Sequence, residues 1–315
     1  MSEATVERIA EALLYEGYML YPYRPSSVKN RQRFNFGVVF PEAYSRRQSG
    51  VEPSEMQTEC LVLGDDQTGL GVKARFLQVT VRTTEGSEPP WQEAIEREVA
   101  ASVHSIGELT GAPRSVRFTF PASDAVEDGI RRWRARLDGE LVVNAAAVAD
   151  GVFRVTARIT NLSPWIPPEN TVRENVLPHS LVSAHTILRV RGGEFVSLLD
   201  PPEAMRGLAT GCRNVGAWPV LVGGEGSRDT MLSSPIVIYD YPQIAPESSG
   251  DLFDATEIDE ILSLRILTLT DEEKEEVRRS DERARRLLER TESLVEEQMM
   301  KLHGTMRSVQ WTEAP

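Results

Sequence analysis

Apolar residues Val6, Ile9, Ala10, Leu13 and Leu14 recur at helical spacing, which predicts an N-terminal helix closed by Gly17. Residues 35–40 read as a strand ending at Pro41. Residues 56–63 (MQTECLVL) and 72–83 (VKARFLQVTVRT) are rich in β-branched and apolar side chains. The turn chemistry of GDDQTG between them predicts a hairpin. Residues 91–109 place Ile95, Val99, Val103 and Ile106 at three- or four-residue steps, a helical pattern that ends near Gly111. Residues 115–120 read as a strand, and residues 140–147 and 152–161 as a hairpin across Asp150-Gly151. Strand-like runs return at 183–190, 194–199, 219–222 and 234–239, separated by proline-rich joints at 164–168 and 200–202. Many short strands with few helices between them predict an α+β protein with a largely antiparallel β body.

The C-terminal part has a different pattern. Residues 270–302 hold neither Gly nor Pro and are heavily charged. Thr270-x-x-Glu273 forms a capping box, and Asp271, Glu272 and Glu273 suit the positive end of the helix dipole. Val277, Ala284, Leu287, Leu288, Leu294, Val295, Met299 and Leu302 make a discontinuous apolar stripe, and Gly304 is a stop. The pattern predicts one long helix, about 45 Å for roughly thirty residues. It would pack along its own body or pair with another helix, including that of a second copy. The expected organisation is a β-rich body at 1–265 with a candidate subdomain boundary near 112–138, the helix at 266–304 and a tail at 305–315.

Length and composition keep the protein among soluble globular chains: 315 residues, 40% hydrophobic and 26% charged. A formal charge of -13 argues against nucleic acid as a partner, because that needs a net cationic face. Two cysteines make no disulfide framework. The start MSEATVERIAEALLYEG lacks a basic region followed by an apolar run, and no stretch approaches eighteen apolar residues. A cytoplasmic protein without a membrane span is expected.

Against that acidity the stretch LYPYRPSSVKNRQRFNFGVVFP stands out. From Arg24 to Arg47 the cations are Arg24, Lys29, Arg31, Arg33, Arg46 and Arg47, and the acid is Glu42. Tyr21, Tyr23, Phe34 and Phe36 flank them, and Pro22 and Pro25 stiffen the entry. Guanidinium forks suit carboxylate and phosphate, so Tyr21, Tyr23, Arg24, Lys29, Arg31 and Arg33 form a candidate surface for a partner or an anion. Solvated or internally paired cations are the plainer alternative.

Other constellations are weaker. Cys60, His179, His185 and Cys212 could supply zinc or nickel ligands, but no C-x-x-C pair occurs and the histidines are poorly spaced. No metal and no cofactor is expected. No G-x-S-x-G elbow is present, and neither cysteine has a histidine beside it in sequence. The glycine-rich run at 220–230 lacks the Walker Gly-Lys-Ser/Thr and is followed by Pro235, so it reads as a hairpin turn. Asp254-x-x-Glu257 reads as a helix start. The loop YDYPQIAPESSGD, carrying Tyr239, Asp240 and Tyr241, is long enough to be functional and joins the candidate surface.

The segments EALLYEGYMLYPYRPSSVKNRQRFNFGVVFPEAYS, MQTECLV, SAHTILRVRGGEFVSLLDPP and WPVLVGG, with RDTMLSSPIVIYDYPQIAPESSGDLFDATEIDEILSLRILTLTDEEK, carry a likeness across most of the chain. They resemble an uncharacterised bacterial family encoded beside the genes for nickel–iron uptake hydrogenases and their maturation proteins. The resemblance implies an accessory or assembly role and brings no catalytic residues. The expectation is an interaction protein whose partner is a hydrogenase subunit or maturation factor. The alternative is an enzyme holding an anionic substrate between residues 20–36 and the 239–251 loop.

Overall fold

In the computed structural model the described residues are 3–24, 27–31, 33–84, 90–243, 259–280 and 282–294. The protein is α+β with antiparallel sheets. It divides into two compact units, one of residues 1–16 and 34–243, the other of residues 17–33 and 244–315. Residues 112–138 lie inside the first unit.

The first unit holds α1 (Glu3–Leu14), α2 (Glu42–Arg47), β1 (Glu55–Leu63), β2 (Gly69–Thr84), β3 (Trp91–Ser105), α3 (Ile106–Gly111) and β4 (Arg114–Phe120). It continues with β5 (Ser123–Glu127), β6 (Ile130–Arg134), β7 (Leu137–Ala149), β8 (Val152–Asn161), α4 (Arg173–Val176) and β9 (Val182–Arg191). It ends with β10 (Glu194–Val196), α5 (Arg206–Thr210), β11 (Trp218–Leu221) and β12 (Thr230–Ser234). One sheet runs β10-β1-β8-β7-β4. The other runs β11-β12-β9-β2-β6-β5, with β3 on the opposite edge of β2. β2 is long enough to pair with β9 through residues 69–77 and then with β6 through residues 81–84.

One apolar core joins the two sheets. Met56, Cys60 and Val62 of β1, Leu141 and Val143 of β7, and Val155 and Ile159 of β8 meet Val72, Ala74 and Phe76 of β2 and Leu188 of β9. Phe76, Phe118 and Phe120 pack ring on ring at 5.6–5.8 Å. Each such buried side chain contributes about 2 kcal/mol. A few hydroxyls cross the same interior: Thr58 donates to Ser233 Oγ at 2.7 Å and lies 3.3 Å from Thr186 Oγ1.

Several expectations hold. α1 forms, and Gly17 takes φ +69°. β7 and β8 pair across Asp150-Gly151. The glycine-rich run is the β11–β12 turn, closed by Val222 N–H to Thr230 O at 3.1 Å.

Others are corrected. The segment 91–109 is a strand over most of its length, because Trp91 to Ser105 pair along β2 from Arg82 to Gly69 with one register shift between Leu70 and Val72. A four-residue step suits a strand as well as a helix: Ile95 and Val99 share one face in either, whereas a shift in the pairing beyond Ala101 leaves Val103 exposed. Ile106 breaks that parity, and there Ser105 caps the short α3 through a reciprocal bond with Glu108. β1 and β2 do not form a hairpin; the GDDQTG corner carries the chain from one sheet to the other. Residues 35–40 supply only a bridge, Val39 to Leu181. Gly37 has φ +56° there, and a Cβ on it would lie 2.6 Å from the Pro235 ring. Residues 235–239 are not a strand, since β12 ends at Ser234.

The second unit holds the turn Val28–Arg31, α6 (Asp259–Leu267), α7 (Asp271–Ser280) and α8 (Glu282–Glu292). The expected capping box is present: Glu273 N–H donates to Thr270 Oγ1 at 3.2 Å, and Thr270 N–H to Glu273 Oε2 at 2.9 Å. The single long helix is corrected to a helical hairpin. Lys274 and Arg278 of α7 pair with Glu292 of α8 at 3.1 and 2.9 Å. In one straight helix residues 274 and 292 would stand about 27 Å apart. Val277, Ala284, Leu287 and Leu288 are buried, so this part of the broken stripe is covered within the chain. Pro25, the Asp254-x-x-Glu257 helix start, the stripe beyond Leu294 and the Gly304 stop lie outside the described residues.

Candidate functional site

The conspicuous basic stretch is largely committed to internal contacts. Arg24 pairs with Glu273 at 3.2 Å and Glu276 at 3.7 Å. Arg33 is only 5% exposed; its Nε donates to Tyr18 O at 2.6 Å and its guanidinium lies 4.5 Å from the Tyr18 ring. Tyr23 is buried with φ +58° and meets Tyr21 edge to face at 6.3 Å. Arg265 covers the Tyr21 ring at 5.4 Å. Asn30 bonds both the N–H and the O of Leu20, at 2.8 Å each. Lys29 is exposed, and the backbone of Arg31 sits in the same turn. In the first unit Arg46 pairs with Glu42, and Arg47 donates to Pro167 O and to Pro168 O, the latter at 3.2 Å.

The second stretch is similarly tied. Asp240 accepts from Ser197 Oγ at 2.6 Å and from Leu221 N–H at 2.8 Å. Tyr241 packs against the core, whereas Tyr239 is 86% exposed. Residues 244–251 lie outside the described residues, and Tyr239–Tyr241 belong to the first unit while residues 20–33 belong to the second.

The four candidate metal ligands are not gathered: among the described residues no group of three or more His, Cys, Asp or Glu side chains is placed to hold an ion. Cys60 is in the core, where burial, followed by Cys212 and Glu59, pushes its thiol far up. Burial also raises Cys212, whose Sγ lies 3.8 Å from Leu208 O. His185 is 1% exposed. Burial lowers it to about 4, and its Nδ1 lies 3.2 Å from Ser183 O. His179 is likewise lowered by burial to about 4, and its ring stacks on Trp165 at 4.2 Å and 9°.

His179 leads to a groove that the sequence reading passed over. It has a volume of about 670 Å³ and lies between β6 with the start of β5 on one side and residues 163–165 with His179 on the other. Its chemistry comes from the run IRRWRAR, which sets Arg131, Arg132, Arg134 and Arg136 around Trp133. That arginine density, greater than in residues 24–33, is the signal that could have found it.

The local folding is readable from the residues. Asp128 and Gly129 take φ +51° and +74°, a two-residue turn of the kind Asp-Gly favours. The opposite wall hangs on Asn161, whose Nδ2 donates to Val39 O and His179 O, both at 2.9 Å. Asn161 Oδ1 accepts from Ser163 N–H at 2.9 Å.

Most of the groove's cations are neutralised. Arg131 grips both oxygens of Asp124 at 2.8 and 2.6 Å, which holds that carboxyl below the usual range. Arg132 bonds Glu93 at 3.0 Å, and Arg136 bonds Asp138 at 2.8 Å. Arg134 differs. Its Nε is buried without a hydrogen-bond partner, and among the described residues it forms no ion pair. Beside it Arg97 donates to Gln78 Oε1 at 2.9 Å and lies 4.7 Å from the Phe120 ring centre. Burial first, then repulsion from Arg134, lowers the Arg97 pKa. Arg134, with Arg97 beside it, can hold an anion, while Trp133, on the alternate face of β6, and Trp165 offer apolar contact. A smaller hollow of about 210 Å³, near Phe36, Met56 and Trp218, has a mainly apolar lining. No helix among the described residues is long and apolar enough to cross a membrane. No protein-family model matches the chain, and no curated protein matches it either.

Proposed function

We propose that this is an accessory protein that acts by binding a protein partner in the assembly or maturation of a nickel–iron hydrogenase. The observation that carries the binding reading is the groove beside β6, open and walled by Trp133 and Trp165, with Arg134 left, among the described residues, without a carboxylate. The groove's imidazole, His179, is neutral and stacked, which favours contact over proton transfer. The hydrogenase context comes from the resemblance of the quoted segments. The test is affinity capture of the tagged full chain from cells expressing the hydrogenase genes, followed by mass spectrometry. A hydrogenase subunit or maturation protein should be enriched over a mock capture. Its absence from repeated captures would overturn the assignment.

A further inference from the structure

β5 is the edge strand of its sheet, and it borders the groove. The two-residue turn makes Glu127 and Ile130 a hydrogen-bonded pair, so Ala125–Arg132 and Ser123–Arg134 are hydrogen-bonded pairs too. Asp124 and Val126 occupy the alternate positions, and their main-chain N–H and C=O groups therefore point away from β6. Among the described residues no backbone bond satisfies them. The Val126 side chain is 71% exposed. Such an edge is a template for an incoming strand.

Charge selects which strand fits. Arg134 sits opposite Ser123, and among the described residues no carboxylate pairs with it or with Arg97. Glu127 stands at the far, turn end of β5, and Asp124 is already neutralised by Arg131.

We infer that the groove docks an extended acidic segment of the partner protein. That segment adds to the free edge of β5, sets a carboxylate on Arg134 at the Ser123 end and lays apolar side chains between Trp133 and Trp165. A polyanionic nucleic acid fits less well, since most of the lining cations already hold carboxylates and the chain carries a charge of -13. The inference deepens the binding function proposed above and rests on that reading.

Fluorescence anisotropy of the full chain with fluorescein-labelled peptides tests it. One probe alternates valine and glutamate, and its control alternates valine and lysine. The glutamate peptide should bind and the lysine peptide should not. Arg134→Gln should weaken binding at least about tenfold, the loss of a charge-assisted bond. Val126→Pro removes only an outward N–H, leaves the β6 pairing intact and should weaken binding several-fold. Equal binding of both peptides, or Arg134→Gln within twofold of wild type, overturns the inference. Arg134-dependent binding of AMP or inorganic phosphate without peptide binding overturns it in favour of a small-anion site. Peptide binding with an empty hydrogenase capture would remove only the hydrogenase assignment. Capture that survives in both Arg134→Gln and Val126→Pro would remove only the groove.

Discussion

Arg24 and Arg33 lie where the sequence is most conspicuously basic, whereas Arg131, Arg132, Arg134 and Arg136 follow an unremarked Asp-Gly turn. In the first segment both of these arginines are spent. Arg24 meets two glutamates of α7, and Arg33 is buried on Tyr18. In the second, three arginines hold Asp124, Glu93 and Asp138, and Arg134 holds nothing comparable among the described residues. Local charge excess in a sequence therefore measures neither exposure nor availability. A cation is available only when the fold brings it no carboxylate, and that depends on residues distant in the chain, such as Glu273 for Arg24.

The comparison breaks most readily at Arg33. Arg33→Ala should destabilise the protein by about 3 kcal/mol, because it removes a buried charge-assisted bond and ring contact. Arg134→Gln, at the groove, should cost less than about 0.5 kcal/mol. Urea denaturation followed by circular dichroism checks both, and equal losses would erase the distinction.

Acidification probes the interior next. His185 in the folded chain has a pKa lowered by burial to about 4, against about 6.5 when unfolded. Between those values only the unfolded state binds the proton, so stability falls as pH drops from about 6.5 to 4 and no further below. For this one fully buried group the loss is about 3 kcal/mol. His185→Phe should remove that share of the slope and leave the smaller share of His179, which burial lowers to about 4 as well. An unchanged slope would show that His185 is not the group responsible.

Thr58→Val should cost about 1 kcal/mol by removing the hydroxyl shared with Ser233 across the sheets. Its thermal midpoint should drop without change in peptide binding. Smallest is the effect of Glu292. Burial raises its pKa, but bonds from Lys274 and Arg278 outweigh that and leave it lowered overall. The hairpin of α7 and α8 should therefore keep this support above about pH 4 and lose it as pH falls through the folded pKa. Glu292→Gln should show a slight loss at neutral pH and none at low pH, read by helical circular dichroism.

Much of the fold was legible where local chemistry decides it. The β7–β8 hairpin follows from Asp150-Gly151, and the α7 start from Thr270 and Glu273. Residues 91–105 misled because a four-residue apolar step satisfies two periods, and pairing with β2 chose between them. The helix over 270–302 misled because propensity does not reveal a reversal that Glu292 and the buried leucines stabilise. The groove was half legible. IRRWRAR is plain to read, but its wall comes from Trp165 and His179, brought there by Asn161.

The central claim is that Arg134, not the basic stretch, is the cation offered to a partner. Anisotropy with the valine–glutamate peptide, comparing Arg134→Gln with Arg24→Gln, tests it most directly. Binding should be at least about tenfold weaker for the first and unchanged for the second. Loss on Arg24→Gln with Arg134→Gln intact would contradict it.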